Sequence, residues 1–393
     1  MLINKTAPQP AGPAQAVRRP RRSLAPWVVI EVVATIASVG VFGTDQKADL
    51  AVLLTAGKDV VHGINPYVAT SSPQLLDGHA FVYPWLSAWL FAPLAMLPSP
   101  VGPYAFTLLG AVAVLVGARL LHLPHGWAVA ALLLCAPFAR NLELGAVNTC
   151  FFLLLAALWH WRERTWVVAA SVTLLVGLKL FLAPIVVWVI LTRSWRCTAA
   201  TLAALSAFLG CSFVAGPLAL PGYVAMLHRL SDHMGHRGMS LESAVAYLTP
   251  TAPARPIALV VAGLAIVASV AAFFVGHRRN EAGLLGALVI VSLLGSPMVW
   301  RHYFLLLFFV LVLLGPSTRT MIAACAASWA VIGSATLEPV GGLALGARFL
   351  CLYASVAILF CLCLTRKVGG PPNSKFYAPI GDLRRRGRPL SLV

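Results

Sequence analysis

The sequence predicts an all-α polytopic integral membrane protein. Three observations carry that prediction. The 393 residues are 60% hydrophobic and 10% charged, whereas a soluble domain is nearer half apolar and a quarter charged. Apolar runs of spanning length recur from residue 27 to residue 364. Unbroken stretches such as FFLLLAALWHW argue against a transmembrane barrel, whose strands alternate over short segments.

Residues 1–25, rich in Pro, Ala and Arg, read as a disordered basic cytosolic arm. No small-residue cleavage site follows the first apolar run, so that run reads as a span and not as a cleavable signal peptide. It covers 26–43, with basic flanking residues placing its start inside. Residues 44–100 form the first extracytoplasmic segment, punctuated by Gly and Pro in HGINPY and SSPQLLDGH. Within it, 81–98 (FVYPWLSAWLFAPLAMLP) is long enough for a span, yet its prolines, tryptophans and tyrosine favour a helix at the outer interface. Further spans are expected at 101–119, 126–140, 146–161, 165–179, 181–193, 197–217, 256–276, 282–298, 302–316, 319–336 and 343–364. That makes about twelve, several shorter than the ~20 residues a span needs, so broken helices are expected. Residues 218–255 form a second extracytoplasmic segment and 366–393 a basic cytosolic tail, leaving 26–365 as one transmembrane domain.

The net charge of +17 comes from VRRPRRS, from short loops and from the tail. This is the positive-inside pattern beside anionic lipid, and no nucleic-acid partner is expected. The eight cysteines lie in or beside apolar segments without a CxxC pair, which reads as packing. No metal site is expected: the three histidines of HRLSDHMGHRGMSLES carry neither HExxH nor HxH with a distal acid.

The acids sort unevenly. Asp45, Asp49, Asp59, Asp77, Glu143, Asp232, Glu242 and Glu338 fall outside or at the outer boundary, out of 12 acids in all. The positive-inside rule barely constrains acids, so this skew asks for its own reason. Asp49 precedes a short apolar stretch that returns to the membrane. A carboxylate at a half-dry interface has a raised pKa and suits a general base for a hydroxyl; otherwise it is a solvated loop acid. Asp45, four residues earlier, can share its face.

In NLELGAVN, Arg140, Asn141, Glu143 and Asn148 surround the outer end of two spans. They line a watery cavity or, for Asn148, bond between helices. Lys179 in GLKLFLAP must snorkel, pair or bind an anion, and the apolar KLFLAPIVVW run favours the anion. Arg237, Ser240 and their polar neighbours fit a phosphate head group better than a metal. In SPMVWRHYF, Arg301 and His302 open a helix, where cations and helix-end amides together suit a phosphate. Trp300 and Tyr303 beside them read as an interfacial belt. Arg348 reads as a structural cation paired with Glu31 or Glu338.

The ordered set DLAVLLTAGKDVVHGINPY, FVYPWLSAWLFAPLAMLP, LGAVN, GLKLFLAP, MSLES and SPMVWRHY spans about residues 45–305. In this order it resembles glycosyltransferase family 87. These are polyprenyl-phosphate-mannose-dependent α-mannosyltransferases of the GT-C superfamily, typical of actinobacterial envelope and lipoglycan assembly. The resemblance implies a GT-C-type bundle with interfacial helices in the first extracytoplasmic loop. It also implies a catalytic Asp49, with Lys179, Arg301 and His302 holding the donor phosphate; the reading of the residues themselves adds Arg237 to that set and a cavity including Asp45, Tyr83, Glu143, Asn148 and Ser240. It implies a polyprenyl-phosphate sugar donor, a glycolipid or polysaccharide acceptor and no cofactor. The active site would face outward from the plasma membrane, with both termini cytoplasmic. The chain departs from the family pattern at Ala146, Trp85 and Leu53, which bear on the sugar and the acceptor.

Two rivals follow from the same residues. A lipid-linked sugar flippase also uses many spans and internal charges, but no internal repeat supports it. A lipid phosphotransferase needs a metal-binding acidic motif such as DxxD, which Asp45 and Asp49 match poorly.

Overall fold

The computed structural model describes residues 25–42, 47–77, 80–99, 101–124, 126–234, 238–275, 280–333 and 342–365. Among them the regular elements are all helical, with no strand. In chain order they are α1 (Ala25–Phe42), α2 (Ala48–Val61), α3 (Trp85–Ala95), α4 (Val101–Leu120), α5 (Trp127–Leu133), α6 (Ala136–Leu144) and α7 (Asn148–His160). There follow α8 (Thr165–Leu178), α9 (Ile185–Thr192), α10 (Trp195–Gly210), α11 (Leu220–Met234) and α12 (Leu241–Leu248). The last are α13 (Ala254–Val275), α14 (Glu281–Leu294), α15 (Leu305–Leu313), α16 (Thr318–Ser328) and α17 (Gly342–Thr365).

Each apolar run expected to span falls on a helix, but most are short. Val101–Leu120, Trp195–Ala215, Ala254–Val275 and Leu345–Thr365 are long and apolar enough to cross a membrane, and α5 with α6, bent by 46°, make a fifth candidate. The other apolar helical stretches, such as Val28–Gly40, Leu180–Thr192 and Glu281–Leu294, have 10–17 residues. The reason is local chemistry. Cys135 is extended and Pro137 starts α6 afresh, since proline fits a helix's first turn but not its interior. Lys179 is likewise extended (φ −141°, ψ 98°) and separates α8 from the 3₁₀ turn Leu180–Leu182. Residues 81–98, weighed as an outer interfacial element, hold the 11-residue α3, about 16 Å long against a ~30 Å hydrocarbon core.

The helices divide by surroundings. In α14 every residue after Glu281 is buried, as befits a helix apolar on all sides at the centre of a bundle. It packs on α9, α13, α15 and α17. By contrast α4, α10, α13 and α17 expose apolar side chains such as Leu108, Leu202, Leu264 and Ile358, faces that suit lipid.

The segment after α1 folds back as α2, which packs on α3. The approach is close: a Cβ on Gly57 would sit 3.1 Å from the Ala92 and Phe91 backbone. The other side of α2 meets the end of α6. Gly145 there has φ +65° and a Cβ would come within 2.6 Å of Leu50 Cβ, so LGAVN needs its glycine twice over, for conformation and for space. Lys47 Nζ donates to the Leu142 carbonyl at 2.5 Å and helps fix the start of α2.

The basic arm, apart from Ala25, and the tail 366–393 lie outside the described residues, as do Asp45, Arg237 and Glu338. Glu31 does not meet Arg348: it pairs with Arg119 and accepts from the Gly126 amide at 3.0 Å. A buried span carboxylate takes the nearest donor its neighbouring helix and loop provide, and here those come from α4 and the turn before α5.

Candidate functional site

A cavity of about 1050 Å³ opens where α2, the α8–α9 break, α11, α12, α14 and the start of α15 converge. Asp49, Tyr83, Lys179, Arg301 and His302 all line it. They come from four separate stretches of the chain.

Asp49 lies in the first turn of α2, where a carboxylate favours the helix dipole. Its Oδ2 is 3.5 Å from His302 Nε2. The loop helix α2 is not among the candidate spans. Burial pushes the Asp49 carboxyl above the usual carboxylate value, and the charge of Lys179 offsets part of the rise.

His302 is held from behind. It is 4% exposed, and Nε2 is a buried atom without a hydrogen-bond partner among the described residues. Its carbonyl accepts from Asn141 Nδ2 at 2.8 Å, and Asn141 Oδ1 accepts from Asn148 Nδ2 at 3.1 Å. Asn148, expected in the cavity, is fully buried behind it and braces Asn141. This is the interhelical bonding that its position also allowed.

Lys179 donates to the Tyr303 hydroxyl, and its ammonium lies 4.0 Å from the Tyr303 ring centre and 5.5 Å from that of Tyr83. Phe181 stacks on Tyr303 at 5.4 Å. The lysine is therefore caged by aromatic faces, which hold a cation without neutralising it. Tyr303 is 8% exposed, so it belongs to this wall and not to an interfacial belt. The FVYP stretch is pinned by two phenols: Tyr223 donates to the Val82 carbonyl at 2.9 Å and Tyr67 to the Tyr83 carbonyl at 2.8 Å.

Arg140 and Arg348 also line the cavity and face Arg301 with like charge. Arg140 is paired with Glu143 at 2.5 Å, so Glu143 orients an arginine of the wall and does not line it. Ser240 is likewise behind the wall: it caps α12, accepting from the Ser243 amide at 3.0 Å, while Ser243 lines the cavity. Arg140 lines the wall, as its place beside NLELGAVN suggested, whereas Tyr303 and Arg348 are wall residues that the sequence reading gave to an interfacial belt and to a structural ion pair. Arg140 carried a signal, since it stands three residues before Glu143 at the end of an apolar run. Among the described residues no group of three His, Cys, Asp or Glu could hold a metal.

Fold and cavity together define a helical protein with candidate membrane spans and an internal, largely apolar chamber into which several cations and one half-buried carboxylate project. The sequence profile of glycosyltransferase family 87 matches residues 81–300, more than half of the chain, and the chain belongs to that family. It is a glycosyltransferase. The matched region contains Tyr83, Arg140 and Lys179, stops just short of Arg301 and His302, and begins after Asp49. No curated protein and no solved structure matches the chain.

Proposed function

We propose that the protein moves a sugar, most simply mannose, from a polyprenyl-phosphate donor to a hydroxyl of a glycolipid or envelope glycan on the outer face of the plasma membrane. The observation that carries this reading is the meeting of Asp49, His302 and the caged Lys179 on one cavity wall. Asp49 takes the proton of the acceptor hydroxyl. That oxygen bonds to the anomeric carbon while the bond from carbon to phosphate oxygen breaks, and the phosphate leaves with the electron pair. One displacement inverts the centre, so a β-linked donor gives an α-linked product. Lys179, Arg301 and His302, with Arg140 and Arg348 nearby, hold the developing phosphate charge; such donors act strongly in a chamber that excludes water. The phosphate is already a good leaving group, so no metal or cofactor enters the scheme.

In this reading the apolar helices form about twelve passes, counting short and broken ones. α2 and α3 lie at the outer interface, and both basic termini are cytoplasmic. The test is to incubate membranes holding the protein with radiolabelled polyprenyl-phosphate mannose and a glycolipid acceptor. Label on the acceptor is the expected result. Label that crosses the bilayer unmodified would overturn the reading in favour of a flippase. Arabinose and glucose donors run in parallel identify the sugar.

A further inference from the structure

Asp49 and Asp59 stand ten residues apart on α2, and with Val52 and Ala56 between them they follow 3–4–3 spacing, one face of a helix. Asp49 lies in the main cavity. Asp59 lies in a second cavity of about 300 Å³, walled by Thr55, Asn65, Tyr67 and Phe81. Val52 and Ala80 border both cavities, so the two adjoin along the α2 face. Among small apolar side chains, the lining of the second cavity offers a carboxylate, an amide, a hydroxyl and two aromatic rings. The rings of Tyr67 and Phe81 are 5.4 Å apart, and the Tyr67 hydroxyl is spent on the Tyr83 carbonyl, which leaves its face and not its tip to a ligand. The Asp59 carboxylate has no hydrogen-bond or ion-pair partner among the described residues. The Asn65 amide oxygen accepts from the Tyr67 amide at 2.9 Å, which leaves its NH2 group and the Asp59 carboxylate to sugar hydroxyls, and aromatic faces take the apolar face of a sugar ring.

We infer that the Asp59 cavity is an acceptor subsite for a sugar remote from the attacking hydroxyl, so the acceptor is an oligosaccharide lying along α2. The inference rests on the proposed transfer at Asp49. The two acids are separated by about 15 Å of helix, the reach of a short oligosaccharide and more than one sugar ring covers. Nothing about the donor is involved: the phosphate-facing cations all lie in the main cavity.

The test is saturation-transfer NMR on the full chain in nanodiscs, with methyl α-mannoside, methyl α-arabinofuranoside and methyl β-glucoside as probes. At least one probe should bind the unaltered protein and Asp49→Asn equally. Its signal should fall about tenfold in Asp59→Ala, the loss of one hydrogen bond to a charged group. Thr55 is exposed, so Thr55→Trp is a second variant that blocks the cavity without touching the core. In the transfer assay with methyl α-mannobioside, Asp59→Ala should raise the acceptor KM by about the same factor and leave the donor KM alone. Absence of binding by every probe, or equal binding in all variants, overturns the subsite. If the unaltered protein binds a probe in a way that Asp59→Ala weakens but transfers no sugar, the proposed function fails and the acceptor role falls with it, while sugar binding at Asp59 stands.

Discussion

Two clusters of charge in this molecule are built on opposite plans. Where the α7–α8 loop, the end of α9 and the start of α14 meet, Arg162 and Arg193 face Glu163 and Glu281. Arg193 donates to Glu163 Oε1 at 2.9 Å, to the Arg162 carbonyl at 3.1 Å and to Glu281, and its side chain is 5% exposed. Cations and carboxylates balance there. In the large cavity Arg140, Lys179, Arg301 and Arg348 share the wall with the single carboxylate Asp49, and Lys179 rests on phenol rings and a hydroxyl. The first cluster is complete within the chain, so it ties helices together. In the second, Arg140 is answered by Glu143, but Lys179 is held by aromatic rings and a hydroxyl with no carboxylate at ion-pair distance among the described residues, an arrangement that an incoming anion would complete. A phosphate-bearing substrate is such an anion.

Replacing one residue in each cluster separates these roles. The largest effect belongs to Asp49→Asn. If Asp49 is the general base of the proposed transfer, its loss lowers kcat by about 10³-fold, read by label transfer, with membrane insertion and elution unchanged. Full activity would move the base elsewhere. Next comes Lys179→Met, which should cost about 10²-fold in kcat/KM for the donor, while thermal unfolding occurs at the same or a higher temperature. A drop in unfolding temperature without loss of activity would place Lys179 with Arg193 as a structural cation.

A pH profile sharpens the coupling within the cavity. In the proposed transfer the ionised carboxylate takes the proton, so activity should fall as pH drops through the Asp49 pKa. Burial raises that pKa, so the acidic limb should lie above the ordinary aspartate value of about 3.9. Lys179 lowers it, and the residual activity of Lys179→Met should show the limb at still higher pH. A limb at the ordinary value would mean Asp49 is solvated.

In the balanced cluster, Arg193→Met should cost about 2 kcal/mol of stability, since it strands Glu281 with fewer donors while Glu163 stays in water. Both KM values should hold. The smallest effect is Arg255→Ala: Arg255 pairs with Asp232 at 3.3 Å with side chains 38% and 71% exposed, and such pairs are worth less than ~1 kcal/mol.

Much of the site was legible because a charge in an apolar chain stands out. Asp49, Lys179 and His302 were singled out that way, and they share one wall. Small polar residues at helix starts were harder to read. Asn148 and Ser240 look alike in sequence whether they face a cavity or brace a neighbour, and here one bonds Asn141 and the other caps α12. Tyr303 illustrates a different limit: an aromatic at a helix start suits lipid interface and buried wall equally, and Lys179 on a distant segment is what distinguishes them. Arg348 needed a partner, and only the folded chain shows Glu31 already taken by Arg119.

The sequence by itself determined that the chain is helical, that its helices seek an apolar surrounding, and that a few charges are out of place in it. Hydropathy and helix-breaking residues act over a turn or two, so they can be read locally. The tertiary structure alone decided which out-of-place charges meet, which are neutralised, and that Asp49 and Asp59 open into adjoining chambers. Those outcomes depend on helix contacts between distant segments, such as Gly145 admitting Leu50 and Asn141 holding the carbonyl of His302, and packing of that kind leaves no periodic trace along the chain.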